Sequence, residues 1–323
     1  MTEDLVHQNK INSVLIIGIQ GALAKITAEI LIKKNPRIKI HGVDSRTIDQ
    51  LPNRDQLSHQ QVKYTRTNFE KIFREHQFDT ILHLGRLGHS PSVGNSNMRI
   101  DINLVGTNTI LELANKFHCK KVVILSSHHV YGALPDNSMF LKEDSPLRGS
   151  FKYAELRDVV EMDQMCTNWM WKNQNNIETV VLRPSNIIGP QIKNSITQYL
   201  KTPYAPLPID YNPMFQFVHE FDMATVIVES AQHLKTGVYN VAGDDVVTLH
   251  EAALIVGAAK IKLPIVMVEQ LAKILTTMWK FPHYLIDYLK YPSTLDNSEL
   301  KKNLGQDIFR FSSKEALELL KSH

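Results

Sequence analysis

The sequence predicts an α/β fold: a doubly wound parallel sheet followed by a smaller, mostly helical C-terminal region. Three observations predict it. Short apolar runs alternate with helical patterns through the first half, a glycine-rich turn follows the first run directly, and the texture changes at Pro184. Alternation of this kind implies right-handed strand–helix–strand units and a sheet covered on both faces.

The apolar runs lie at residues 14–17, 38–43, 81–84, 122–125 and 180–182. Between them, 102–117 has helical spacing, with Leu104, Thr107, Leu111 and Ala114 on one face. Beyond Pro184, the residues Pro190, Pro203, Pro206, Pro208 and Pro213 crowd one stretch. Each proline removes a backbone donor, which predicts an irregular region there. Helical pattern resumes at 221–233, a strand-like run follows at 237–241, and the tail from Thr248 reads as mostly helical. The expected division is a nucleotide-binding unit over 1–183 with a returning segment near 217–243, and a substrate-binding region over 184–216 and 244–323.

Composition limits the function classes. The chain has 323 residues, 43% hydrophobic and 21% charged, ordinary for a globular protein with a sizeable core. The net charge of +3 with no long basic run argues against nucleic acid. Cys119 and Cys166 are the only cysteines, in neither a paired nor a metal-ligand spacing, which suits a reducing cytoplasm and predicts no metal site. No apolar run approaches the ~18 residues of a membrane span, and a soluble, cytoplasmic protein is expected.

The first strand runs directly into Gly18-Ile19-Gln20-Gly21-Ala22-Leu23. Gly18 permits a tight bend, and Gly21, Ala22 and Leu23 bring backbone N–H groups to the start of a helix, where a pyrophosphate can bind. The bland alternative is a compact strand-to-helix turn. Asp44 ends the second strand about 20 residues later, where a carboxylate accepts from the ribose hydroxyls and repels a 2′-phosphate. Together these predict a Rossmann-type fold that binds NAD. Arg46 either stacks on adenine or attracts a 2′-phosphate, and Asp44 tips the choice to NAD.

Six further segments occur in one order. They are Ile81-Leu82-His83-Leu84-Gly85, Asn103 with Gly106-Thr107, Ser126-Ser127-His128-His129-Val130-Tyr131-Gly132, Arg183-Pro184-Ser185-Asn186-Ile187-Ile188-Gly189-Pro190, Phe217-Val218-His219-Glu220-Phe221-Asp222 and Val238-Tyr239-Asn240-Val241-Ala242-Gly243. With the glycine turn, the chain resembles the extended short-chain dehydrogenases of the NAD-dependent epimerase/dehydratase family. The resemblance implies that a tyrosine acts as general acid/base, a serine hydroxyl holds the same substrate oxygen, and a lysine depresses the tyrosine pKa. Carried onto this chain, Ser127 is the hydroxyl and Tyr153 the acid/base. Leu84, Gly85, Arg86 and Asn103 would line the cofactor, Asn68 and Phe69 would lie near adenine, and Asn186 and Asn194 would touch substrate. By resemblance the substrate is a nucleotide-linked sugar and the protein a possible homodimer.

One departure stands out. The family's Tyr-x-x-x-Lys reads Tyr153-Ala154-Glu155-Leu156-Arg157 here. Residues four apart on a helix share a face, so Arg157 is expected on the Tyr153 side, yet guanidinium and ammonium are not interchangeable. Either a retuned catalytic site or a non-catalytic NAD-responsive protein follows. His128 occupies a position where dehydratases carry an acid, and with His129 it reads as structural. Tyr131 is expected to pack under the sheet edge. An apolar, sterol- or lipid-like alcohol is the other substrate class, with Leu275 and Trp279 lining its pocket.

Overall fold

The structure is a computed structural model that describes residues 11–47, 51, 54–85, 96–271 and 282–321. Its centre is a seven-stranded, all-parallel sheet. In chain order the strands are β1 (Ser13–Ile17), β2 (Lys39–Asp44), β3 (Leu57–Gln61), β4 (Thr80–His83), β5 (Lys121–Leu125), β6 (Glu178–Pro184) and the strand Gly237–Val241. In space they run β3-β2-β1-β4-β5-β6 and then Gly237–Val241. The order reverses between β1 and β4, so a crevice opens beyond the carboxyl ends of those two strands.

Alternating residues of each strand face opposite layers. Leu15, Ile17, Ile81, Val122, Ile124 and Val181 pack with Phe69, Ile72, Leu111 and Met162. These come from α2 (Arg66–Glu75), α4 (Thr107–Lys116) and α5 (Arg157–Asn173), the short α3 (Ser96–Ile100) lying between α2 and α4 in the chain. Val14, Ile16, Leu82, Val123, Val180 and Leu182 pack with Leu23, Leu31, Met223 and Ile227 on the other face. There the cover is α1 (Ala22–Lys34) and the helix Glu220–His233.

The structure departs from the sequence reading at three places. Strand β3 was not expected because only Leu57 of its five residues is buried; it is an edge strand with one neighbour and carries no apolar run. The helical stretch 102–117 divides into a π-helical turn, Asp101–Gly106, and α4. The proline-rich stretch is ordered by pairing at its margins. Ala205–Pro208 runs parallel to Lys260–Leu263, Asn186–Ile188 parallel to Phe217–His219, and Met214–Phe215 antiparallel to Val247–Thr248. Prolines are tolerated there because each two-stranded unit leaves one edge without a ladder. The helices Ser195–Lys201, Leu249–Val256 and Ser313–Lys321 close a third core around Ile188, Leu200, Phe217 and Leu317. Among the described residues no helix is long and apolar enough to cross a membrane.

A buried ion pair joins the layers. Arg183 of β6 forks onto Asp163 of α5, Nη2 to Oδ1 at 2.6 Å and Nε to Oδ2 at 3.0 Å. The Asp163 Oδ2 also accepts from Ser126 Oγ at 2.5 Å. Arg183 Nη1 donates to the Tyr131 hydroxyl at 2.9 Å and to the Glu143 carbonyl at 2.8 Å, and Tyr131 donates to Asn240 at 2.8 Å. Tyr131 is thus a fully buried strut, as its sequence position suggested, and burial pushes its pKa up to about 12.

Replacing Asp163 with Asn leaves a buried guanidinium without its counter-charge. The expected loss of stability is about 3–5 kcal/mol, read as a lower urea midpoint. A midpoint within error of wild type would mean that water reaches this pair. A second expectation concerns pH. Burial, the first cause in both, lowers the pKa of His41 and His83 from 6.5 to about 4. Between those values the unfolded chain takes up protons that the folded chain refuses. Stability is therefore full above about pH 6.5 and falls as pH drops toward 4. Melting curves across that window check it, and the slope should flatten in His41→Gln.

Candidate active site

At the reversal point β1 and β4 meet backbone to backbone. Gly18 has φ +89°, and a Cβ there would lie 2.4 Å from Gly85 Cα, so only glycine fits. Its N–H and that of Ile19 both donate to the Val43 carbonyl, at 2.8 and 3.2 Å, and Gly21 N–H closes the turn on Gly18 O at 2.9 Å. Gly21 offers α1 no capping side chain, and the first turn holds no acid. The positive end of this 13-residue helix, with the Ala22 and Leu23 amides, is therefore built to receive an anion.

Asp44 lies just beyond, nearly buried. Its carboxylate accepts from Gln20 N–H at 3.0 Å, Arg46 N–H at 3.0 Å, Arg46 Nε at 3.0 Å and Arg46 Nη2 at 2.9 Å. Burial opposes its ionisation, but the Arg46 and Gln20 hydrogen bonds outweigh burial and hold its pKa below the ordinary carboxylate value. Arg46 thereby points at Asp44, with much of its side chain in solvent.

The remaining cofactor candidates separate. Leu84 N–H donates to Ile17 O at 3.0 Å, which seats Gly85 beside Gly18. Asn68 lies in the first turn of α2 and gives its amide to the Lys63 carbonyl at 3.1 Å, while Phe69 is fully buried in the core. The side chain nearer the turn is Tyr64, which sequence reasoning passed over: a Cβ on Gly85 would lie 2.8 Å from its hydroxyl. Phe69 supports that ring edge-on at 5.3 Å. Asn103, in the π-helical turn, is buried and donates to Asp158 Oδ2 at 2.7 Å. Arg86, Leu275 and Trp279 lie outside the described residues.

Ser127 follows β5 and caps the 3₁₀ turn His128–Val130. Its Oγ lies 2.8 Å from His129 Nδ1. Both open on a cavity of about 330 Å³ that is also lined by Asn186, Lys193, Asn194, Gln198 and Tyr284. The two asparagines reach this cavity with amides already engaged. Asn194 caps Ser195–Lys201 by accepting from Thr197 N–H at 2.9 Å and donates to Ile187 O at 2.7 Å, and Asn186 donates to Gln216 O at 3.2 Å. Lys193, Ser195 and Gln198 are shared with a second cavity of about 550 Å³, whose rim adds Lys201.

Tyr153 is not among the residues lining the Ser127 cavity. It lines a separate pocket of about 10 Å³ with Lys152, Asp287 and Tyr288. Burial first, then the neighbouring Asp287 charge, raises the Tyr153 pKa. Lys152 gives both its bonds to Asp287, at 2.8 Å each. Arg157 faces solvent, its side chain 70% exposed and paired with Glu161 at 2.5 Å. The expectation that Arg157 shares a face with Tyr153 is therefore corrected. Tyr153 is extended, at φ −122° and ψ 101°, ahead of a 3₁₀ turn, and α5 begins only at Arg157. Helical spacing does not apply across that junction.

Asp287, Tyr284 and Lys201 carried no motif, so no local signal marked them. His129 was visible, but its hydrogen bond to Ser127 depends on the turn conformation.

Comparison with known proteins agrees with this architecture. The model of the NAD-dependent epimerase/dehydratase family matches residues 14–242. An uncharacterized protein of Mycobacterium tuberculosis is 24% identical over 242 residues, covering 73% of this chain but only 63% of that relative's length. A UDP-glucuronate 4-epimerase of Thermodesulfobacterium geofontis is 25% identical, over 71% of this chain and 74% of its own. The UDP-glucose 4-epimerase of Bifidobacterium longum, solved with NAD⁺ and UDP, has the same fold. Its TM-score is 0.74 at 18% identity, over 96% of this chain and 97% of its own. With a glycine contact at the reversal point of the sheet, an acid at the end of β2 and a family match over most of its length, the chain belongs to the NAD-dependent epimerase/dehydratase family.

Proposed function

We propose that this protein is an NAD-dependent enzyme acting on a hydroxyl-bearing carbon of a nucleotide-linked sugar, with Ser127 holding the hydroxyl. The observation that carries the reading is the junction of two cavities. The Ser127 cavity suits a sugar, and the larger one that shares Lys193, Ser195 and Gln198 with it suits a nucleotide. Lys193 and Lys201 supply the positive charge that a diphosphate requires, which sequence reading had not found. The polar rim favours a sugar over an apolar alcohol. Relatives with similar sequence include a UDP-glucuronate 4-epimerase, which supports the same substrate class.

The residues around the glycine turn fit the cofactor's ADP half. The uncapped start of α1 would hold the pyrophosphate, the Gly18–Gly85 contact fixes the turn that leads into it, and Asp44 would take the ribose once Arg46 yields part of its fork. When bound, the nicotinamide supplies a hydride acceptor. This chain's part is to orient the carbinol, hold its proton and exclude water.

A second reading, an NAD-responsive protein without turnover, draws on the solvent-facing Arg157 and on Tyr153 lying beside Asp287 and not on the Ser127 cavity. Turnover of UDP-linked hexoses and hexuronates separates the two.

NAD should bind at least about tenfold more tightly than NADP, or ~1.4 kcal/mol, because a 2′-phosphate would approach the Asp44 carboxylate. Titration calorimetry with both measures it, and equal affinities would assign the pocket to Arg46. Lys193→Ala and Lys201→Ala should each weaken UDP binding roughly tenfold, as expected for losing one charge-assisted phosphate contact. Calorimetry at two salt concentrations checks this. Unchanged affinity in both variants would move the nucleotide out of the larger cavity.

A further inference from the structure

Among the described residues, the Ser127 hydroxyl has one hydrogen-bonded side-chain partner capable of carrying a proton. His129 Nδ1 lies 2.8 Å from Ser127 Oγ, and that same Oγ accepts from the His129 backbone N–H at 3.3 Å. The two contacts follow from the turn: the serine that caps it is held over the imidazole two residues on. The ring is fixed by neighbours, with His128 at 4.2 Å between centroids and the edges of Tyr284 and Tyr288 at 5.2 and 5.0 Å.

Tyr153 is placed for a different task. It lines a small pocket with the Asp287 carboxylate and not the Ser127 cavity, its pKa is raised, and Arg157 is solvent-exposed and paired with Glu161. A base that must lose its proton near neutrality is poorly served beside a buried carboxylate. Imidazole ordinarily changes charge in that range.

We propose that His129 is the proton acceptor and donor behind Ser127, in the role that the family pattern gives to Tyr153. The proposal rests on the enzyme reading above. As the substrate carbinol is oxidised, its O–H proton passes to Ser127 Oγ while the Ser127 proton passes to His129 Nδ1. As C–O becomes C=O, the hydride from carbon would be taken by a bound oxidised nicotinamide, and the imidazole ends as the cation. Reduction runs the same transfers in reverse. Nδ1 must be unprotonated at the start, which places the imidazole proton on Nε2.

Groups facing the ring are His128 on its own turn, Lys193 across the cavity, and Tyr284 and Tyr288 on the segment packed above it. Asp287 lies on that same segment, and Glu155 accepts from Tyr284 N–H at 2.9 Å.

Two measurements on the full chain test the proposal. The first needs no turnover: ¹⁵N imidazole spectra of the cofactor-free protein across pH. His129 should show the Nε2–H tautomer, and Ser127→Ala should move its Nδ1 shift and midpoint, whereas Tyr153→Phe should not. The second follows activity. His129→Gln should lower kcat roughly 100-fold or more, with KM and NAD affinity within about threefold, and remove the acid limb of the kcat/KM profile. Tyr153→Phe and Asp287→Asn should keep kcat within about tenfold. A full loss in Tyr153→Phe with activity kept in His129→Gln overturns the proposal. So does a His129 resonance indifferent to Ser127→Ala. If wild type binds UDP and NAD yet turns over no sugar nucleotide, the enzyme reading fails, and the imidazole titration alone then decides whether the Ser127–His129 pair stands.

Discussion

The Arg183–Asp163 pair is the constraint on which the site depends. It joins β6 to α5 where the chain leaves the sheet, and Ser126, Tyr131, Asn240 and the Glu143 carbonyl all attach to it. Each charge alone would be costly so deep in the protein, and the pair is tolerated because its donors and acceptors are matched. Ser126 is bound to Asp163, so the next residue, Ser127, leaves the strand in one direction. The position of the candidate reactive hydroxyl is thus inherited from a buried ion pair that does not line the cavity.

The cofactor half of the crevice is held by a steric constraint. Gly18 and Gly85 are in backbone contact, and Tyr64 packs against Gly85 and Gly106 from beneath. Such contact leaves little freedom, so the turn and the start of α1 are organised before a ligand arrives. Asp44 bonds to the Gln20 amide and extends the same rigidity to the adenosine end. The reactive half is assembled differently. Its walls come from three separated segments, the turn after β5, the stretch 184–198 and the segment 282–289, and none of these contributes to the glycine contact.

Electrostatics distinguishes Tyr153 from His129. A phenol becomes a usable base only beside a cation; the one expected to serve, Arg157, is paired with Glu161, and Lys152, near the ring, gives its bonds to Asp287. Asp287 then adds a negative charge next to the phenol. The imidazole needs no such assistance, because the hydroxyl it serves is already within hydrogen-bond distance.

The sequence by itself determined six of the seven sheet strands, the fold class, the glycine turn and Asp44 at the end of β2. These were legible because period and turn chemistry are local: an apolar strand buried on both faces, and a glycine at a position with positive φ, carry their reasons within a few residues. Strand β3 was hidden because an edge strand with one buried residue has no apolar signature. The site was legible in part. Ser127 stood out by its segment, but the pairing of Arg157 with Tyr153 was inferred from a helical spacing that the backbone does not adopt there. The Ser127–His129 contact depends on the conformation of a local turn, whereas the places of Asp287 and Lys201 at the site were decided only by tertiary structure. Asp287 lies 134 residues from Tyr153 in the chain, and no local pattern encodes the pocket that brings them together.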